Sequence, residues 1–523
     1  MEKLRNLLEL LNVRRNLVLI GVLGIGILLR LLQPHTLLLD PDSTGYASPA
    51  LNFLLQGQPD HVYGRSYVYP LFLLGIWTIF KNLFVVALVQ MTIALGSLVL
   101  FYHSMDEWLE TKLDKGLLPI ARTMLLLLIL LMAWDGNIYL YEHCLRPEGL
   151  GMASLLVLIS GLLKYDLAES PGLKWVIAWL LIVFLVLLAL LHPRFMLSFG
   201  CIGLVLAREI WKEKHLGWYR LVFFVLSLIV SVLVVYPEIY LSRKFDTVGR
   251  SFAMRQLVYS QVPSVLDLVE QGDWVEADFD TTVFKRDMRL VLQEKGGGSA
   301  YYKALGYNLD KLQYELSGKD LYAYFNSKCA RLSQGKMDSI SSKELAAKSD
   351  SAYNNYFYGW ATKLVVQRPW SLAKKMVRES VYAMLITYQN FLGFPFHLKY
   401  EQSFESSRVE QEILLQNMGY KPGQLVVLNR PWVMDAFFLL ICIPLQVLFL
   451  ISLIYLGLAV WKGQLPWWGS SIFGAILLYY LSVGFLHTLG FPRYMHSLSP
   501  LMYVSVFLAC ILTLQKKVTK DNS

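Results

Sequence analysis

The chain has 523 residues, 55% of them hydrophobic, and carries a formal charge of +9. Apolar runs of membrane-spanning length recur along it, which excludes an ordinary soluble domain. Its Lys and Arg residues gather in internal loops rather than along one basic stripe, which excludes nucleic acid as a partner.

The first apolar run, Leu17 to Leu32, follows Arg14-Arg15 and lacks a small-residue cleavage site, so it reads as a retained span. Nine further spans are predicted near 83–103, 118–134, 148–164, 175–191, 195–210, 219–238, 433–460, 467–488 and 496–515. The expected fold is an all-α polytopic membrane protein of about ten transmembrane helices, with outer juxtamembrane helices and a largely helical extracytoplasmic domain. The segments are 1–238, an N-terminal transmembrane module with the first outer loop; 239–432, the outer domain; and 433–523, the C-terminal helices.

Loop charges set the orientation. Lys3, Arg5, Arg14, Arg15, Lys112, Lys115, Lys164, Lys174, Arg208, Lys212, Lys214, Arg220, Lys516, Lys517 and Lys520 fall on one side. By the positive-inside rule that side is cytoplasmic, as are both termini. The opposite loops hold isolated bases: Arg65, Arg146, Arg194 and Arg493. Single guanidiniums near carboxylates in several outer loops suggest a shared anion site, the alternative being snorkelling or local ion pairs.

Residues 41–56 read as an amphipathic helix on the membrane surface, and Trp370 to Leu392 as an interfacial helix, since it carries Lys374, Lys375, Arg378 and Glu379. Cys201, Cys442 and Cys510 lie in apolar runs; Cys144 and Cys329 face outward, and a disulfide between them is one reading. No Cys/His spacing suits structural zinc. There is no internal repeat and no Gly-rich phosphate loop. The absence of an Asn-x-Ser/Thr sequon favours a bacterial or archaeal source.

The chemistry-bearing residues follow the first span. Asp40-Pro41-Asp42-Ser43-Thr44-Gly45-Tyr46 places two carboxylates beside the membrane, and Tyr63, Arg65, Tyr67 and Tyr69-Pro70 come after. Ionisable groups there are working-site candidates. Glu142, His143, Arg146 and Glu148 open the fourth span; His192-Pro193-Arg194 and Arg493-Tyr494 stand in later outer turns. For Asp42 the competing reading is an N-cap of the surface helix, for Glu142 and Glu148 a helix cap, and for the tyrosines an aromatic belt. His61, His143, His487 and His496 read as anchors or hydrogen-bond partners rather than ligands.

The order of Asp42-Ser43-Thr44-Gly45-Tyr46, Tyr69-Pro70, Glu142 to Glu148, His192-Pro193-Arg194 and Arg493-Tyr494 resembles the GT-C superfamily of membrane glycosyltransferases. The closer likeness is to bacterial relatives of the protein mannosyltransferases and to the lipid A aminoarabinose transferases. It covers the first 240 residues and the last 90, and leaves 250–430 unassigned. His192-Pro193-Arg194 inverts the usual Arg-Pro order, so the role of His192 stays open. The resemblance implies a polyprenyl-phosphate sugar donor and a lipid, glycan or protein acceptor. It also implies location in the bacterial inner membrane among its lipids. Such transfer needs a proton acceptor for the acceptor hydroxyl and cations for the departing phosphate. Asp42 is the candidate base, with Asp40 second. Arg146, Arg194, Arg493 and Arg65 are candidate phosphate contacts. Tyr46, Tyr69, Glu142, Glu148 and His192 are candidate substrate contacts, and a divalent metal ion is a candidate cofactor held by Glu142 and Glu148. A transporter or flippase of lipid-linked glycans would use the same groups without making bonds, and a non-catalytic scaffold would use only the outer domain.

Overall fold

The computed structural model describes residues 14–39, 41–59, 62, 65–191, 196–212, 219–245, 257, 264, 268, 271–273, 275, 358–386, 398–404, 408–428, 432–486 and 497–521. It is the structure of a mainly helical polytopic membrane protein with one small two-stranded sheet. Every predicted span coincides with a helix, because a helix satisfies the backbone of an apolar run within the segment itself, even where Pro237 or Pro444 lies inside it. In chain order the helices are α1 (Arg15–Leu31), α2 (Thr44–Gln56), α3 (Val68–Ile79), α4 (Leu83–Lys112), α5 (Leu118–Trp134) and α6 (Gly136–Glu142). Then come α7 (Glu148–Leu167), α8 (Pro171–Leu191), α9 (Met196–Lys212), α10 (Tyr219–Phe245) and α11 (Pro369–Ile386). A strand β1 (Leu398–Glu401), helix α12 (Val409–Asn417) and strand β2 (Leu425–Leu428) precede α13 (Trp432–Trp461), α14 (Trp467–Leu486) and α15 (Ser499–Asp521).

Seven of the described helices are long and apolar enough to cross a membrane: α4, α7, α8, α10, α13, α14 and α15. The other predicted spans, α1, α5 and α9, each have 17 residues. Leu204, Leu228, Leu233 and Ile454 are more than half exposed on these helices, as lipid-facing side chains are.

The bundle is built on the pairing of α4 with α7, flanked by α5 and α8, with α9 and α11 against α14. Its core includes Phe101, Leu125, Ile129, Leu155, Leu162, Tyr479 and Tyr503. One end is tied by polar bonds. Asp166 accepts from the indole N–H of Trp108 (3.0 Å) and of Trp467 (2.7 Å), joining α4, α7 and α14. Asp106 pairs with both Arg15 (2.9 Å) and Arg122 (2.6 Å), joining α1, α4 and α5.

α11, read from sequence as interfacial, packs lengthwise and antiparallel on α14. Lys375 Nζ donates to the Phe485 carbonyl (3.0 Å) and Ser380 Oγ to the Tyr480 carbonyl (2.9 Å). Gly484 permits this approach, since a Cβ there would overlap the Met376 carbonyl and Ser380 Oγ.

At the other end of the bundle, Pro41–Ser43 forms one 3-10 turn that leads into α2. A second apolar cluster there joins Leu37, Leu39, Leu51 and Tyr69 to Leu145 and, from far along the chain, to Phe404, Leu415 and Met418. β1 and β2 pair antiparallel, Leu398 opposite Leu428 and Glu401 opposite Leu425.

Candidate active site

The site begins with two short extended segments. After α1 the chain runs through Leu37–Leu39, all buried. After α6 it runs through His143–Leu145. Leu38 N–H donates to the His143 carbonyl (2.7 Å), and Leu145 N–H donates to the Leu38 carbonyl (3.0 Å), a parallel bridge of Leu38 with Cys144. Burial forces this pairing, since these backbone groups have left water and need partners.

Asp42 lies just beyond the first segment and Arg146 directly after the second. Arg146 Nη2 donates to Asp42 Oδ2 at 3.0 Å. Arg65 brings a second guanidinium, its Nη2 lying 3.6 Å from Asp42 Oδ1. On the far side of Arg146, Glu148 Oε1 stands 3.9 Å from Nη1. Asp42 is 36% exposed and Arg65 28%, whereas Arg146 is 9% and Glu148 2% exposed. The cluster therefore opens to solvent at Asp42 and closes at Glu148. Among the described residues the cluster sets two guanidiniums against two carboxylates, so an arriving anion would compete with a carboxylate for an arginine.

Aromatic and amide groups shape the walls. The Arg65 guanidinium lies 5.1 Å above the Tyr46 ring, which meets Tyr69 edge-on at 5.5 Å. Tyr69 donates its hydroxyl to Gln90 Oε1 (3.1 Å). Gln90 Nε2 in turn donates to the carbonyls of Glu142 (2.8 Å) and Cys144 (3.1 Å), so α4 holds the loop that carries Arg146. Gly45 makes room for Arg65: a Cβ there would overlap Arg65 Nη1 and stand 2.8 Å from its Cζ. Glu238 on α10 holds the Arg65 loop, accepting from Ser66 Oγ (3.1 Å) and Tyr67 N–H (2.9 Å).

The sequence-predicted residues thus divide. Asp42, Arg65, Arg146, Glu148, Tyr46 and Tyr69 come together. Glu142 is turned away: Arg30 grips both its oxygens, Nε to Oε2 at 2.6 Å and Nη2 to Oε1 at 2.7 Å. Glu142 therefore belongs to a buried ion pair with Arg30. Burial raises its pKa, against the pull of Arg30. Asp40, His192, Arg194 and Arg493 lie outside the described residues, as do Cys329, His61, His487 and His496. The neighbouring His143 is buried, which lowers its pKa to about 4, with Arg30 and His35 adding to the effect.

Asp42 is not the residue before α2, but Glu148 is the first residue of α7, where a carboxylate meets the positive end of the helix dipole, as the capping reading has it. The residue before α2 is Ser43, and the residue before α7 is Pro147; neither makes a side-chain cap bond. The residues that sequence reasoning missed are Arg30, Gln90, Gly45 and Glu238. Arg30 carried a signal, as the one charged residue within the apolar run from Leu17 to Leu32. Gln90 and Gly45 carried none, because their roles depend on what approaches them.

A divalent cation would take Asp42 and Glu148 as oxygen ligands. The Arg146 guanidinium stands between these two, and Glu142, the other carboxylate expected as a metal ligand, is held by Arg30. Among the described residues, no group of three or more His, Cys, Asp or Glu side chains converges.

The class that fold and site define is a polytopic helical membrane protein with a carboxylate–guanidinium cluster at one end of its bundle. No protein-family model matches the chain, and no curated protein matches it. Among solved structures, the crystal structure of ArnT from Cupriavidus metallidurans in the apo state is similar over 92% of this chain and 77% of that one. The identity is 9% and the TM-score 0.31.

Proposed function

We propose that the protein is a glycosyltransferase that moves a sugar from a polyprenyl-phosphate donor to a lipid, glycan or protein acceptor. The observation that carries this reading is the meeting of Asp42 with Arg146 and Arg65 at the exposed edge of the cluster. The GT-C-like order of the motifs around them agrees. In this reading the site faces outward and both termini lie in the cytoplasm, as the Lys and Arg distribution suggests, and the membrane is a bacterial inner membrane, as the resemblance implies.

The reaction is one displacement. The donor phosphate replaces Asp42 as partner of Arg146 and Arg65, which frees the carboxylate. The acceptor hydroxyl attacks the anomeric carbon from the face opposite the phosphate, and its proton passes to Asp42. The bond from anomeric carbon to phosphate oxygen breaks, and its electron pair leaves with the phosphate, whose charge the guanidiniums neutralise. The anomeric centre inverts. Phosphate needs no proton to leave, so the site calls for one base rather than the two carboxylates of glycoside hydrolysis.

Purified protein in detergent, given radiolabelled polyprenyl-phosphate sugars together with bacterial envelope lipids, glycans and proteins as acceptors, should release polyprenyl monophosphate and form a new glycosidic bond to one of them. Binding of the labelled lipid with no new bond would instead favour the transporter of lipid-linked glycans.

A further inference from the structure

The unassigned region 239–432 ends in the β1–α12–β2 unit, and that unit reaches the site. We infer that Gln402 is a positioning residue for Asp42 and Arg146, and that this unit is the clamp that presents it. The inference rests on the glycosyl-transfer reading for what the site does, though not for the geometry.

The Leu37–Leu39 segment has two edges. The first is bonded to His143–Leu145. The second meets the Gln402 side chain: Oε1 accepts from Leu39 N–H at 2.8 Å, and Nε2 donates to the Leu37 carbonyl at 2.9 Å. One amide thus makes both bonds that an adjoining strand would make. Gln402 is 3% exposed, so no water competes. Its own backbone is fixed as well, its N–H donating to the Gln424 carbonyl (3.0 Å) and its carbonyl accepting from Gly423 N–H (3.1 Å). Gly423 takes φ +68°, which a side chain would oppose.

The unit is sealed against the surface helix α2 and the start of α4. Ser48 Oγ donates to Gln411 Oε1 (3.0 Å), Arg408 donates to Asn52 Oδ1, and Leu83 N–H donates to the Met418 carbonyl (3.0 Å). Held on both edges, Leu37–Leu39 cannot slip against His143–Leu145. Asp42 and Arg146 follow these segments and inherit their alignment.

The test uses the full chain in lipid nanodiscs, with farnesyl monophosphate as the probe. Gln402→Met keeps the volume and removes both bonds. It should speed hydrogen exchange at Leu39 roughly tenfold while the bundle's melting transition barely moves. It should also weaken farnesyl monophosphate binding about threefold to tenfold. Gln402→Glu is the conservative variant. Protonated, its carboxyl accepts from Leu39 and donates to Leu37 as the amide does; ionised, it faces the Leu37 carbonyl without a proton. Protection and affinity should therefore return at acid pH and fall as pH rises. Wild-type exchange at Leu39 in Gln402→Met, or pH-independent protection in Gln402→Glu, overturns the inference. If wild-type protein fails to bind farnesyl monophosphate, the transfer reading falls, while the exchange result still judges the clamp.

Discussion

Arg146 meets Asp42 at 3.0 Å across 104 residues of sequence, and the hydrogen bonds between Leu38 and His143–Leu145 hold the chain on either side of that contact. The site is thus aligned by backbone pairing rather than by the two side chains finding each other. That arrangement makes the side chains separately replaceable.

Asp42→Asn keeps the size and removes the proton acceptor. Transfer should fall by about 10²–10⁴, the range for loss of a general base. Asp42 is 36% exposed, so the thermal midpoint should change little. Product formation and a melting curve on the same preparation check both; near-wild-type transfer would remove Asp42 as the base.

Arg146→Gln sets a neutral amide against Glu148, while Asp42 keeps Arg65 at 3.6 Å. Because Glu148 is buried, stability should drop by about 2 kcal/mol, below the full cost of an unpaired interior charge since Asp42 remains partly hydrated. Farnesyl monophosphate binding should weaken more than in Arg65→Gln, whose guanidinium is farther from Asp42 and more exposed. Titration calorimetry on the two variants gives the order, and the reverse order would remove Arg146 as the principal phosphate contact.

Gly45→Ala should separate stability from binding. The new methyl meets the mobile end of Arg65 rather than backbone, so the chain can accommodate it. Replacing a helical glycine should add about 0.5–1 kcal/mol of stability. Displacement of Arg65 from Asp42 and Tyr46 should weaken anion binding about threefold to tenfold. Unchanged affinity would show that Arg65 takes no part.

Arg30 and Glu142 are 1% and 0% exposed, so breaking the pair strands a charge. Arg30→Met or Glu142→Met alone should cost about 3–5 kcal/mol. The double variant Arg30→Met with Glu142→Met should cost less than either alone. Denaturant unfolding across the four proteins measures the coupling, and additive losses would contradict it.

His143 gives a pH signature. Folding keeps it neutral down to about 4, whereas the unfolded chain takes up its proton near 6.5. Its contribution is complete above 6.5 and is lost as pH falls toward 4, by roughly 3 kcal/mol over that window. In His143→Gln the slope of stability with pH between those values should flatten, which melting curves across the range would register.

Hydrophobic runs of membrane-spanning length marked the helices because that signal is local: each span needs about 20 apolar residues whatever its neighbours do. Isolated outer charges marked Asp42, Arg65 and Arg146 for the same reason, since a lone ion beside a membrane is conspicuous in a single segment. Which carboxylate serves which arginine was beyond that reach. Glu142 and Glu148 look alike in sequence, yet one is taken by Arg30 across 112 residues and the other faces Arg146. Gln402, an amide in a polar stretch, acquires its place only when folding carries it 365 residues back to Leu37. Local composition decides whether a segment enters the membrane, but pairing between buried polar groups depends on which segments come together, and only the packed chain holds that information.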